Sequence, residues 1–237
     1  MPFITRADIE FLPKQGFYVK KINTCYNAPG FSAIYKHNEP DWTKNYDPKQ
    51  LKQATNRGAN FDNCIQAFYE SNRCDLACKN LLLSIDAFTE HIKPIAQELF
   101  VFSKLKQLPV LGFIDAVACI RAEQVANLAK VKIHANAEPT DGLTIIDWKT
   151  KHSANFNPVP LGRYIVQVSV YAKLAKVFYG LDIQQACIAI AFASGEPCQL
   201  LWLDKTMIRE ALNIFAGKLH SYKNNMNHSW RGAYELK

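Results

Sequence analysis

No stretch of this 237-residue sequence is apolar for the roughly 18 or more residues that a membrane-spanning helix needs. Its beginning, Met1-Pro2-Phe3-Ile4-Thr5-Arg6-Ala7-Asp8, has neither an apolar signal core nor a basic amphipathic transit helix. The expectation is an intracellular, cytoplasmic protein without a membrane partner. Internal repeats and low-complexity tracts are missing too, which excludes solenoid architecture. The seven cysteines are odd in number and lie mostly in apolar segments. Cys74 and Cys78 form one close pair, but no second close pair completes a four-thiolate site, so reduced core thiols are expected and a zinc finger is not. Acidic residues are the scarcer charge, 21 against 28 Lys and Arg, giving a net charge of +7 and a pI near 9.0. That balance permits a polyanionic partner without requiring one.

What is present is ample apolar material, 49% of residues, enough for one large domain spanning 1–237. Residues 1–45 are broken by Pro13, Gly16, Pro29, Gly30 and Pro40 and predict short strands or loops. Asp47-Pro48 signals a helix start, followed by Leu51, Ala54, Ala59, Phe61, Ile65 and Phe68 at helical spacing. A second helix is expected from Asp75 to Ile92. Pro94 interrupts it, and an extended segment begins at Ile95. Pro109 to Ala122 is apolar on both alternating sets, the pattern of a strand covered on both faces. Alternation over Lys130 to His134, and a turn at Asp141-Gly142, lead into the Leu143 strand, so a hairpin sets the Asp115 and Asp147 strands side by side. A loop over 152–162, an amphipathic helix from Arg163 to Tyr179 closed by Gly180, strands at Gln185 to Ala193 and Gln199 to Leu203, and a helix from Lys205 capped by Asp204 complete the reading. The organisation expected is an N-terminal part (1–93), a core (94–222) and a polar, mobile tail (223–237).

Asp147-Trp148-Lys149 is the most informative segment. Side chains at i and i+2 of a strand share a face, so Asp147 and Lys149 reach one site while Trp148 turns away. A lone D-x-K means little, but here a second apolar strand supplies Asp115, and Gln167 and Tyr171 follow at i, i+4 on one helix face. Such a set suits metal-dependent phosphodiester hydrolysis. Asp115 and Asp147 are hard oxygen ligands for Mg2+ or Mn2+, the Trp148 carbonyl is a further donor, and Lys149 would orient water or neutralise developing charge. A purely structural Asp147–Lys149 or Asp115–Lys149 ion pair explains the same residues, with Tyr171 as core and Gln167 facing solvent.

Gly112-x-x-Asp115, Asp147-x-Lys149 and Gln167-x3-Tyr171 resemble three ordered motifs of the RecB-like branch of the PD-(D/E)xK nuclease superfamily. Over about residues 55–222 the chain is most similar to the mitochondrial genome maintenance exonucleases and their phage and bacterial relatives. The resemblance implies an α/β fold, a restriction-endonuclease-like core with a central mixed β-sheet flanked by helices and a helical N-terminal elaboration. It also implies a Mg2+ or Mn2+ site and exonuclease action on DNA with free ends, often single-stranded. Glu98 stands where the family often has a glutamate supporting the metal site; an exposed helical glutamate is the alternative reading. Asp62, in Arg57-Gly58-Ala59-Asn60-Phe61-Asp62, stands where many relatives carry a metal-binding histidine, a departure that would leave an oxygen ligand in its place, with a plain surface residue as the alternative. The cysteine cluster of CRISPR adaptation nucleases has no counterpart at the C-terminal end, so an iron–sulfur cofactor is not expected.

The sequence therefore predicts a metal-dependent DNA exonuclease with DNA passed along Lys20, Lys21, Tyr26 and the 152–163 loop. An endonuclease and a non-cleaving nucleic-acid-binding protein on the same fold are the competing readings.

Overall fold

The computed structural model describes residues 1–13, 15–37, 39, 47–71, 78–131, 136–154, 161–225 and 232–235. Strands β1 (Ile9–Leu12), β2 (Gly16–Val19) and β3 (Thr24–Asn27) open the chain. Helices α1 (Phe31–Lys36), α2 (Pro48–Ser71) and α3 (Lys79–Thr89) follow, then β4 (Pro94–Leu105), β5 (Leu108–Ile120) and the short α4 (Ala122–Val125). The rest comprises β6 (Gly142–Lys151), α5 (Leu161–Tyr179), β7 (Gln185–Phe192), β8 (Gln199–Leu203), α6 (Lys205–Asn225) and β9 (Gly232–Glu235).

The fold is mixed α/β, built on a five-stranded sheet of order β4-β5-β6-β7-β8. Neighbours are antiparallel except β6 and β7, which run parallel and are joined through α5. All eight residues of β7 are buried, which is why its sequence is apolar without alternation. One face of the sheet packs on α5 and α6 through Ile145, Ile188, Ile190, Val170 and Leu174. The other is covered in two parts. Helices α2 and α3 lie over β6–β8, and the small N-terminal sheet lies over β4 and the first half of β5.

Local signals are realised at several ends. Asp47 accepts from the Lys49 N–H at 2.9 Å and Asp204 from the Met207 N–H at 2.8 Å, both as helix N-caps. Gly180, at φ +75°, ends α5 in the left-handed conformation open to glycine. Among the described residues no helix is long and apolar enough to cross a membrane.

Three expectations need correction. The first 45 residues contain, besides short strands, the helix α1. The polar tail does not simply trail away, because Gly232–Glu235 returns as β9 and pairs antiparallel with β3. The open edge of β3 supplies backbone donors and acceptors that a polar segment can satisfy as well as an apolar one. Finally, the N-terminal elaboration is not helical alone, since β1-β2-β3-β9 form a second sheet. The expected start of the second helix at Asp75, most of the Lys130–His134 segment and the core of the 152–162 loop, including Phe156, lie outside the described residues.

Candidate active site

Pairing between β5 and β6 ends at Ala116↔Ile146, whereas β6 stays paired with β7 as far as Lys151↔Phe192. Asp115 and Asp147 are the next residues along, so they sit where the two strands fork. There the Trp148 N–H donates to Asp115 Oδ2 at 2.8 Å instead of to a strand carbonyl. N–H and C=O of one strand residue point to the same edge, so the Trp148 carbonyl is directed into the same fork. Its indole lies on the opposite face, edge-on to Phe61 and Phe88 with ring centroids at 6.3 and 5.9 Å. A buried aromatic anchor of this kind is worth about 3–5 kcal/mol against alanine, and it fixes which way Asp147 and Lys149 face.

The alternation of side chains slips by one at this level in two adjacent strands. On β4, Leu99 and Val101 join the core under α5, but so does Ala96 on the far side of Glu98. On β5, Val110 and Ile114 join it before Asp115, and Val117 after. Glu98 lies opposite Asp115, between the pairs Gln97↔Ala116 and Leu99↔Ile114, and holds a left-handed backbone at φ 46°. Such a slip re-aims side chains at a sheet's working edge. It brings Glu98, Asp115 and Asp147 to one level across three neighbouring strands.

Asp147 is buried, 1% exposed, and its Oδ2 lies 2.5 Å from Lys149 Nζ. Its Oδ1 is buried without a hydrogen-bond partner. Lys149 also stands 5.0 Å from the centre of the Tyr164 ring on α5. Burial raises the Asp115 carboxyl well above the usual carboxylate range, and the neighbouring Asp147 charge adds to the effect, while Lys149 works against it. Asp147 is raised by burial as well, restrained by Lys149. Burial alone would lower the Lys149 ammonium, but Asp147 and Asp115 outweigh it and raise its pKa above the ordinary lysine value. One cation thus serves two desolvated carboxylates, and the site has an excess of negative charge.

Gly112 and Tyr171 explain each other. A Cβ on Gly112 would fall 2.3 Å from Tyr171 Cε1, so only glycine lets the ring lie across β5. Tyr171 is buried, and its hydroxyl is 3.4 Å from Gln167 Nε2. Gly112→Ala is expected to displace the ring and cost about 1–3 kcal/mol as overpacking. Denaturant unfolding checks this, and wild-type stability would mean that the ring has other room.

Asp62, on α2, lies within electrostatic reach of the same group. Its pKa is raised to about 6 by burial, then by Glu98, with Lys149 opposing and Asp147 adding. The native state therefore holds this proton more tightly than the unfolded chain does, where the ordinary value is 3.8. The stabilising contribution is complete below that value and is lost as pH rises through about 6. In EDTA, the melting temperature of Asp62→Asn relative to the wild type should rise between about pH 4 and pH 6.5. A difference constant over that range would show that the Asp62 carboxyl is unperturbed.

Other sequence expectations fare unevenly. Glu98 is engaged by Arg6, with Nη1 to Oε2 at 3.2 Å. Tyr26 is buried among Phe100, Phe102 and Phe178 and is no surface contact. Lys21 pairs with Asp8 at 2.7 Å, and Lys20 lies 3.8 Å from Glu10. Three residues of the site were not singled out by sequence: Arg6; Tyr164; and Arg163, whose guanidinium donates to Ser32 Oγ at 2.9 Å and whose charge is felt at Asp147. Their partners are distant in sequence, and only the i−3 spacing of Tyr164 from Gln167 was a local clue.

Among the described residues no three His, Cys, Asp or Glu side chains form a ready cage for a metal. The donor set nevertheless suits Mg2+ or Mn2+. Mg2+ commonly takes one or two carboxylates and completes its shell with water and substrate phosphate. The partnerless Asp147 Oδ1, next to the raised Asp115 carboxyl, is where a hard cation would relieve the charge excess.

No family model and no curated protein matches the sequence. Among solved structures, the chain is similar to a "putative exonuclease" from Eubacterium rectale, 12% identical over 86% of this chain and 85% of that one, with a TM-score of 0.51. At this identity the likeness is one of fold. A second structure, SSO0001, gives a TM-score of 0.40 at 13% identity over 85% of this chain and 79% of that one, too low to carry an argument.

Proposed function

We propose that the chain is a Mg2+- or Mn2+-dependent deoxyribonuclease of the PD-(D/E)xK type that degrades DNA from free ends and prefers single strands. The observation that carries this reading is the pair of desolvated carboxylates, Asp115 and Asp147, sharing Lys149 at the fork of β5 and β6. The fold likeness to the Eubacterium rectale protein and the net charge of +7 agree with a nucleic-acid substrate.

Asp115, Asp147 and the Trp148 carbonyl would hold the cation, with Asp62 as a further oxygen donor at the mouth. A divalent ion there supplies Lewis acidity toward the phosphoryl oxygens and makes its bound water more acidic. Lys149, kept protonated by both carboxylates, cannot accept a proton. It acts as a donor, holding the attacking water and offsetting charge on the phosphate. Asp147 and the Tyr164 ring fix its ammonium in place. Tyr171 and Gln167 form the wall behind, which keeps the α5 side of the fork closed to bulk water.

Lys149→Ala should lower kcat about 10²–10³-fold, the scale of removing one preorganised donor. Metal binding by calorimetry should persist. Loss of the metal together with turnover would mean that Lys149 organises the carboxylates and does not act on the substrate.

A further inference from the structure

A crevice of about 290 Å3 opens beside the carboxylate row, between the Thr5–Ala7 turn, α2 and the start of β4. Its walls include Arg6, Gln66, Glu70, Ile95, Gln97 and Glu98. Glu98 belongs to both places, being opposite Asp115 in the sheet and part of the crevice wall. The crevice is therefore the neighbouring compartment of the fork.

Resting on the nuclease reading, we infer that this crevice is a subsite for one nucleotide unit next to the scissile bond, with Arg6 as its phosphate anchor and Glu98 as the placeholder that occupies Arg6 until substrate arrives. The volume falls just under the roughly 300–1,000 Å3 range of ligand pockets, room for a single unit and not for a duplex. The Arg6 guanidinium lies 4.9 Å from the Phe113 ring centre, so one face is supported by an aromatic while its edge meets the Glu98 carboxylate at 3.2 Å. That is how a planar guanidinium is prepared for a phosphate, and carboxylate and phosphate oxygens compete for the same fork of donors. Arg6 is well exposed at 69% of its side chain, so an incoming phosphodiester can reach it without unfolding anything. The far wall sets which end of the unit goes where. Glu70, accepting from Gln66 Nε2 at 2.9 Å, would repel a phosphate there but can take hydrogen bonds from a base or sugar. The base therefore lies against Ile95 with Gln66, Glu70 and Gln97 at its edges, and the phosphate lies on Arg6.

The test uses the full chain and a fluorescein-labelled oligothymidylate of eight units, with binding in Ca2+ read by anisotropy and cleavage in Mg2+ read by kinetics. Arg6→Ala should raise both Kd and KM about tenfold or more with a much smaller change in kcat, the scale of one charged hydrogen bond. It should also reduce the slope of log K against log salt by about 0.7, the signature of one lost phosphate contact on a single strand. Arg6→Lys should restore part of the affinity and the whole slope. Ala7→Trp, an exposed position at the crevice wall, should weaken binding by filling the space while leaving the salt slope unchanged. If the wild type binds and cleaves but all three variants match it in KM and slope, the subsite is overturned and the nuclease reading stands. If the wild type neither binds nor cleaves, both fall together.

Discussion

Asp115→Asn and Asp147→Asn should each abolish the proposed metal-dependent cleavage, by roughly 10³-fold or more, the scale of losing an electrostatic stabiliser at a reacting centre. The two variants should differ in stability. The Asp115 carboxyl is raised by burial and then by Asp147, so its ionised form is held against the fold's preference, and an uncharged amide of the same shape removes that cost. At neutral pH in EDTA, Asp115→Asn should melt at or above the wild-type temperature. Asp147→Asn takes away the partner of Lys149 at 2.5 Å and leaves Asp115 as the remaining carboxylate. It should lose stability, by about 3 kcal/mol at most, the low end for breaking a buried ion pair. Mg2+ should raise the melting temperature of the wild type and of neither variant. Retained cleavage in either variant would remove the metal site, and an equal loss of stability in both would favour a structural ion pair as the role of this cluster.

Equally large is the expected contrast between DNA topologies. Linear single-stranded DNA should be shortened to small oligonucleotides while a closed circle of the same sequence persists at matched protein. The fork is closed on one face by α5 and flanked on the other by α2 and the N-terminal turn, and the neighbouring crevice, about 290 Å3, is small against a duplex. Near Arg6, exposed Phe11 meets Phe17 edge-on at 5.4 Å, and Phe17 meets Phe113 edge-on at 6.1 Å. Stacking on such rings is tolerant of sequence and needs unpaired bases. Comparable loss of the circle would show internal cutting, and the endonuclease reading would replace the exonuclease.

Much of the candidate site was legible because it depends on local rules. Period-two alternation puts Asp147 and Lys149 on one face and Trp148 on the other, and the observed rings of Phe61 and Phe88 around Trp148 agree. The expected hairpin is found only as antiparallel pairing, since the connection from β5 to β6 is long and contains α4, but that pairing sets Asp115 in the strand beside Asp147. The i, i+4 spacing of Gln167 and Tyr171 becomes a contact, though at 3.4 Å a long one. Gly112 was part of the pattern, but its reason, the ring of Tyr171 crossing at that position, needs three dimensions.

The rest was hidden by distance along the chain. Arg6 and Glu98 are 92 residues apart, Arg163 and Ser32 131 apart, and nothing in either neighbourhood marks them as partners. The slip of alternation at Asp115 is invisible because β5 is apolar on both faces, and shifting an apolar run by one residue leaves an apolar run. β9 was missed for a related reason. Pairing on an open edge is satisfied by backbone, so a polar tail carries no sign of it. Tyr26 misled in the opposite direction, an aromatic in a basic segment that turned out to be core.

The most direct measurement is incubation of the wild-type chain with an end-labelled, linear single-stranded oligonucleotide in Mg2+, in Mn2+ and in EDTA. The account predicts progressive release of short labelled products with either metal and none in EDTA, reversed by adding metal back in excess. An intact oligonucleotide under all three conditions, from a folded protein with the expected melting transition, would contradict it.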